Sequence, residues 1–354
     1  MKINSFIPFL TTLLLLTWPG TTSAQPQTDL RPYFEREVTY TNAHDGTPLG
    51  ATLTIPAGPG RSPAVLLITG MGPQDRDETI GPLKPFAVIA DHMARAGVAV
   101  LRVDDRGMGK SGGNWMSSYE TYCEDVRCGL EYLRQQPEID SRHLGLLGHS
   151  EGGVIGTMVA AQCPEVRFLI MLASPCVPAE QYILRHNEGM LRRANVTGEK
   201  LEKELDGVRE LVRILRTTPD PAELKSKLHE LISRKPQSAE ETEREVAMYC
   251  TPWARDYMTS DMTVSLRKLT CPTLALWGSK DVLVEPEQNM TGIKTVLTGT
   301  QPGKLTVEIL PDMNHLFQKC QTGNVDEFFQ IKGCMDAKVL ELISAWTSKC
   351  IREL

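Results

Sequence analysis

The chain has 354 residues, 41% of them hydrophobic and 23% charged, an ordinary globular balance with ample length for a core. Its formal net charge of −6 comes with no basic patch, which excludes nucleic acid and an anionic membrane surface as expected partners. The length suits one large domain, or one domain carrying an insertion.

The N-terminus reads as a secretory signal over residues 1–24. Lys2 supplies the positive charge, residues 7–18 form an apolar core, and Thr22-Ser23-Ala24 offers small residues before a cleavage point near Ala24. The apolar run is short of the ~20 residues a bilayer span needs, and nothing later is apolar enough to cross, so stable membrane insertion is not expected. The mature chain is expected to be secreted or periplasmic. All nine cysteines fall after the signal, and an odd count leaves at least one thiol free. Cys320 and Cys334 bracket a loop and form the candidate pair; Cys123 and Cys128 point in different directions on a helix. No spacing of Cys or His suggests zinc, and no metal or other cofactor is expected.

Residues 38–42 and 51–55 alternate as strands around His44-Asp45-Gly46, a hairpin signal. Residues 64–69 are continuously apolar and read as a buried strand running into Gly70-Met71-Gly72-Pro73 and the polar stretch Gln74 to Glu78. An amphipathic helix over 86–96 and a buried strand over 98–103 follow, then Asp104-Asp105-Arg106-Gly107. Ser117 and Glu120 suggest a capping box for a helix reaching about Gln135.

Next comes Gly148-His149-Ser150-Glu151-Gly152, with an apolar run before it and a helical stretch over 154–161 after it. This is G-x-S-x-G, in which a serine occupies a strained strand-to-helix turn. A Cβ at either flanking position would collide with the neighbouring strand and helix, so glycine alone lets the turn close. A strand over 168–173 follows. Strands alternating with helices imply a mostly parallel sheet covered on both faces, whose substrates sit at the carboxyl ends of the strands.

Composition shifts at Pro178. Residues 178–260 show charged helical patterning and no strand, with helix starts at Asp220-Pro221 and at Ser238/Glu241, and Pro252 closing the last helix. This segment reads as a helical lid inserted between a first core part, 25–177, and a second, 261–354. The sheet resumes at 273–277, followed by Gly278-Ser279-Lys280-Asp281, a helix over about 287–297, a strand over 305–310, the loop Pro311 to His315, and a last helix near 336–349.

A serine hydroxyl needs a base to take its proton, and the base an acid to fix its tautomer. Of the seven histidines, His315 alone sits in a loop just past a late strand. His149 adjoins Ser150 and is expected to point elsewhere. Asp281 follows the 273–277 strand at the same sheet edge and is the expected acid; Asp312 is the rival, more plausibly shaping the turn. The order Ser150, Asp281, His315 is that of the hydrolase sheet. Backbone N–H groups of Glu151 and Met71 are the expected oxyanion donors. Asp105-Arg106 reads as an Arg–carboxylate tie at the sheet edge, and Gln74 to Glu78 as a loop-ordering ion-pair network.

Five stretches, Gly70 to Glu78, Asp105 to Ser111, Gly148 to Gly153, Gly278 to Asp281, and Asn314 to Gln318, resemble the bacterial α/β-hydrolase carboxylesterases of the EstD type. The resemblance spans roughly residues 35–350 and is weakest in the lid. It implies an α/β-hydrolase fold with a helical cap, a triad of Ser150, Asp281 and His315, and hydrolysis of carboxylic esters. The scattered cysteines depart from the family pattern. The expected function is therefore an exported serine carboxylesterase working on a small-molecule ester through an acyl-enzyme. A peptidase or acyl-aminoacyl hydrolase on the same triad is the alternative, and a non-catalytic binding protein on this scaffold the third reading. Oligomeric state is not legible.

Overall fold

The computed structural model describes residues 31–298 and 303–353; the signal expected over 1–24 lies outside the described residues. Eight strands form one sheet: β1 (Tyr33–Thr41), β2 (Pro48–Pro56), β3 (Ser62–Ile68), β4 (Ala99–Val103), β5 (Ile139–His149), β6 (Val166–Leu172), β7 (Thr273–Gly278) and β8 (Leu305–Leu310). Their spatial order is β1-β2-β4-β3-β5-β6-β7-β8. The hairpin partners β1 and β2 are antiparallel, as are β2 and β4, and every later pair is parallel. The α/β-hydrolase fold expected from the sequence is the fold found.

Sheet periodicity sends successive side chains to opposite faces, and both faces are apolar. On one side Leu66, Leu146, Leu169 and Ala275 pack with α2 (Tyr119–Arg134) and α3 (Glu151–Ala160). On the other, Val65, Leu67, Leu147, Ile170 and Leu274 pack with α1 (Pro85–Arg95) and a C-terminal helix, Ala337–Glu353. The carboxyl ends of β3, β5, β7 and β8 therefore reach one rim; the middles of β3, β5 and β7 are sealed from water, while β8 is a half-exposed edge strand.

Between β6 and β7 the chain is helical: α4 (Ala179–Arg193), α5 (Gly198–Thr217), α6 (Pro221–Ile232), α7 (Ala239–Tyr249), α8 (Pro252–Thr259) and α9 (Met262–Leu266). Asp220 caps α6 through the Glu223 N–H, with Pro221 at its first position, and Ser238 with Glu241 forms a complete capping box on α7. Two local expectations fail. Pro252 opens α8 rather than closing a helix, because Thr251 accepts from the Ala254 N–H and a proline at the first helical position sacrifices no hydrogen bond. Ser118, not Ser117, caps α2; Ser117 instead donates to the Asn114 carbonyl. A helix α10 (Pro286–Leu297) precedes β8, and the C-terminal helix is α11.

The cysteines are all free thiols, including the expected pair. Cys320 donates to the Asp312 carbonyl and Cys334 accepts from the Lys84 N–H, so each sulfur is turned to a different partner.

Candidate active site

At the end of β5 the turn is as tight as the glycines allow. A Cβ at Gly148 would stand 2.2 Å from the Gly152 carbonyl oxygen, and one at Gly152 2.1 Å from that of Ile68. Neither neighbour can yield, since both are backbone. Ser150 is held at φ 53, ψ −119, a conformation L-residues rarely adopt. Its N–H is anchored to the Leu172 carbonyl at 2.8 Å. This aims the hydroxyl above the sheet at the N-terminus of α3, where unpaired N–H groups and the helix dipole favour negative charge.

Asp281 lies three residues past β7 and His315 five residues past β8. Their carboxylate and imidazole meet at 2.7 Å, Oδ2 to Nδ1, with both side chains buried. The other carboxylate oxygen, Oδ1, accepts from the Leu283 and Val284 N–H groups at 2.8 and 2.9 Å. Asp281 is thus fixed before it touches the ring, and the ring is oriented with Nε2 away from the acid. Asp312, the rival acid, pairs at the surface with Lys280 at 2.9 Å. That cation holds its carboxyl below the usual range.

The His315 backbone is tied to the neighbour of Ser150: His149 Nε2 donates to the His315 carbonyl at 3.1 Å, and the two ring centroids stand 4.7 Å apart. Among the described residues the Ser150 hydroxyl itself has no hydrogen-bond partner.

Met71 and Glu151 both border the same cleft as Ser150. Neither backbone N–H is engaged elsewhere among the described residues, so two donors are open beside the serine. The walls are apolar or aromatic, including Val154 and Val177 from the sheet domain and Tyr182, Tyr257 and Met262 from the helices between β6 and β7. Glu151 brings the one carboxyl group in this lining. Its Oε1 accepts from Tyr119 Oη at 2.7 Å and from Trp253 Nε1 at 2.9 Å. Burial pushes its pKa up to about 7.

The Asp105-Arg106 stretch is a structural tie. Arg106 makes a bidentate pair with Asp125 and reaches Asp45, while Asp105, its pKa raised well above the ordinary value by burial, takes the Thr69 hydroxyl and the Gln74 N–H. In the loop after β3, Arg76 grips Asp104, Asp77 pairs with Arg102, and Asp75 caps its own turn. Glu78 departs from that network. It turns inward, buried, and Oε1 accepts from the Gly70 N–H at 2.6 Å and faces His149 Nδ1 at 2.9 Å. Sequence reading missed this Glu78–His149 pair, which joins residues 71 apart. No group of His, Cys, Asp and Glu among the described residues is arranged to hold a metal.

The profile of the family described as serine aminopeptidase, S33, matches residues 83–318. Esterase EstD of Thermotoga maritima is 27% identical over 305 residues, covering 85% of this chain and 66% of the relative; the chain thus spans just under two thirds of that protein's length. In fold, the chain is similar to the Pyrococcus furiosus esterase Pf2001, with a TM-score of 0.58 at 14% identity over 95% of this chain and 97% of that one. It is also similar to the α/β hydrolase GrgF of Penicillium sp. sh18, with a TM-score of 0.56 at 14% identity over 90% and 98% of the two chains. With a profile that covers two thirds of it, the chain belongs to the serine aminopeptidase S33 family, on the α/β-hydrolase fold.

Proposed function

We propose that this chain is an exported serine hydrolase that cleaves carboxylic esters through an acyl-enzyme. The observation that carries the reading is the buried Asp281–His315 pair at 2.7 Å, held through the His315 carbonyl against the residue preceding a strained serine. In this reading His315 Nε2 takes the Ser150 proton as the hydroxyl oxygen attacks the ester carbonyl. Asp281 steadies the imidazolium that forms and does not itself take the proton. The tetrahedral oxyanion accepts from the Met71 and Glu151 amides. His315 then returns the proton to the departing alcohol, and a water activated by the same imidazole releases the acid.

In this reading the helices within 178–260 serve as the lid, a role supported by Tyr182 and Tyr257 lining the cleft beside Ser150. Export rests on the sequence pattern of residues 1–24. The substrate is a small ester with an apolar body, matched to apolar walls. A peptidase reading needs a charged subsite for a peptide terminus. Glu151 brings the one carboxyl to the lining, and its Oε1 is already held by two donors. The test is a panel of p-nitrophenyl esters beside aminoacyl anilides, with ester turnover at least tenfold ahead in kcat/KM; anilide preference would replace the ester reading with the peptidase one.

A further inference from the structure

Beside the nucleophile lies a second buried carboxyl–imidazole pair. We propose that Glu78 and His149 share one proton and with it pin the oxyanion turn and the base loop to the nucleophile elbow, as positioning residues for the reaction proposed above.

The geometry itself demands the proton. His149 Nε2 faces the His315 carbonyl at 3.1 Å, and a carbonyl can only accept, so Nε2 carries hydrogen. Nδ1 faces Glu78 Oε1 at 2.9 Å, where a lone pair against a carboxylate would repel, so a second proton lies between these atoms. Imidazole is the stronger base of the two, so the proton rests on Nδ1 and the pair as a whole is neutral. Both side chains are at least nine-tenths buried, at 2% exposure for Glu78 and 6% for His149. Burial opposes charge on the ring, but the Glu78 carboxylate outweighs it and His149 ends with its pKa raised.

Each end of the pair grips a part of the reaction centre. Glu78 Oε1 also takes the Gly70 N–H at 2.6 Å, one residue before the Met71 amide. His149 holds the carbonyl of His315, the base. Glu78 keeps this position at φ 52, a left-handed conformation that a non-glycine residue adopts only when its surroundings impose it. The ionisable groups around the pair are Asp105, which packs near Glu78, Asp281 and His315 beyond the ring, and Glu151 past the serine. Of these, Asp281 acts on the His149 ring to favour keeping the shared proton.

Loss of that proton at alkaline pH sets a lone pair against the carboxylate and releases one of the two ties. In E78Q the amide oxygen can hold Gly70, but without the carboxylate His149 gives up its second proton at a lower pH and then cannot donate through both nitrogens, so one tie is missing from that pH upward. The expected result for E78Q is a kcat lowered roughly tenfold or more, KM within about threefold, and an alkaline limb of the pH profile moved down by about one pH unit or more. H149Q should lose that limb altogether, and E78D should restore part of the kcat. Wild-type protein with ¹⁵N-labelled histidine gives a readout that needs no variant: one ring should stay protonated on both nitrogens at about pH 8, where an exposed histidine is neutral. Limbs unchanged in both variants, kcat losses that track thermal destabilisation alone, or no doubly protonated ring would each overturn the proposal. S150A separates it from the reading on which it rests. Turnover surviving in S150A removes the reaction, whereas an inactive S150A beside E78Q with the wild-type limb removes only the pair.

Discussion

Asp281 divides its carboxylate between two tasks: Oδ1 accepts from the backbone N–H groups of Leu283 and Val284, and Oδ2 meets His315 Nδ1 at 2.7 Å. An aspartate held this way keeps the imidazole in one tautomer and needs no adjustment as charge develops. Asp281→Asn keeps the shape but turns either an N–H donor toward the ring or an N–H toward the two amides. The expected outcome is a kcat reduced by roughly 10³–10⁴ with KM little changed. Steady-state kinetics on a soluble ester checks it; a loss below tenfold would move the acid role elsewhere.

The elbow allows no larger residue. Gly152→Ala places a Cβ 2.1 Å from the Ile68 carbonyl oxygen and 2.4 Å from that of Thr69. Because both are backbone atoms at the end of a central strand, relaxation must displace β3 itself. Destabilisation of about 3 kcal/mol or more is expected, beyond the ordinary range for overpacking, and thermal unfolding measures it.

Glu151 makes stability depend on pH. Burial raises its folded-state pKa from the ordinary 4.5 to about 7, so across this window the folded chain binds more proton than the unfolded one. The contribution is fully present below about pH 4.5 and is lost as pH rises through 7. Glu151→Gln keeps an acceptor for Tyr119 and Trp253 without the ionisation. Above pH 7 it is expected to be more stable than the wild type by up to about 3 kcal/mol, with the difference vanishing toward pH 4.5. Melting temperatures of both proteins from pH 4.5 to 8.5 check the sign.

The lid side of the cleft sets substrate size. Tyr257 stacks on Trp253 with centroids 5.3 Å apart, and its hydroxyl lies 3.2 Å from that of Tyr182. Tyr257→Ala removes one wall of the cleft and frees that space. The ratio of kcat/KM for a bulky ester over acetate is expected to rise about tenfold, since each added methylene in an apolar pocket is worth roughly 1 kcal/mol or more. A p-nitrophenyl ester series reads this directly; an unchanged ratio would place the acyl group against another wall.

Much of this was legible in the chain because the signals are local. Continuous apolar runs such as 64–69 and 273–277 are strands buried on both faces, and Ser150 and Asp281 each follow such a run by a few residues, while His315 follows the alternating strand 305–310. Helix starts were read correctly where side chain and backbone cap each other within four residues, as at Ser238 and Glu241, and misread at Pro252, where Thr251 reverses the meaning of the proline. The Glu78–His149 pair was invisible for a different reason. Glu78 sits in a charged run whose neighbours Asp75, Arg76 and Asp77 all make surface or sheet-edge contacts, and only the positive φ at Glu78 turns one carboxylate inward. His149 was expected to point away from the chemistry. It points away from Ser150 but into the base loop, a relation set by strand order rather than by sequence spacing.

The most direct measurement is labelling of the protein with a fluorophosphonate, followed by mapping of the modified peptide. Stoichiometric phosphonylation of Ser150, matched by loss of ester hydrolysis and absent in Ser150→Ala, is the result expected. Label on another residue, or ester turnover that persists in Ser150→Ala, would contradict the account.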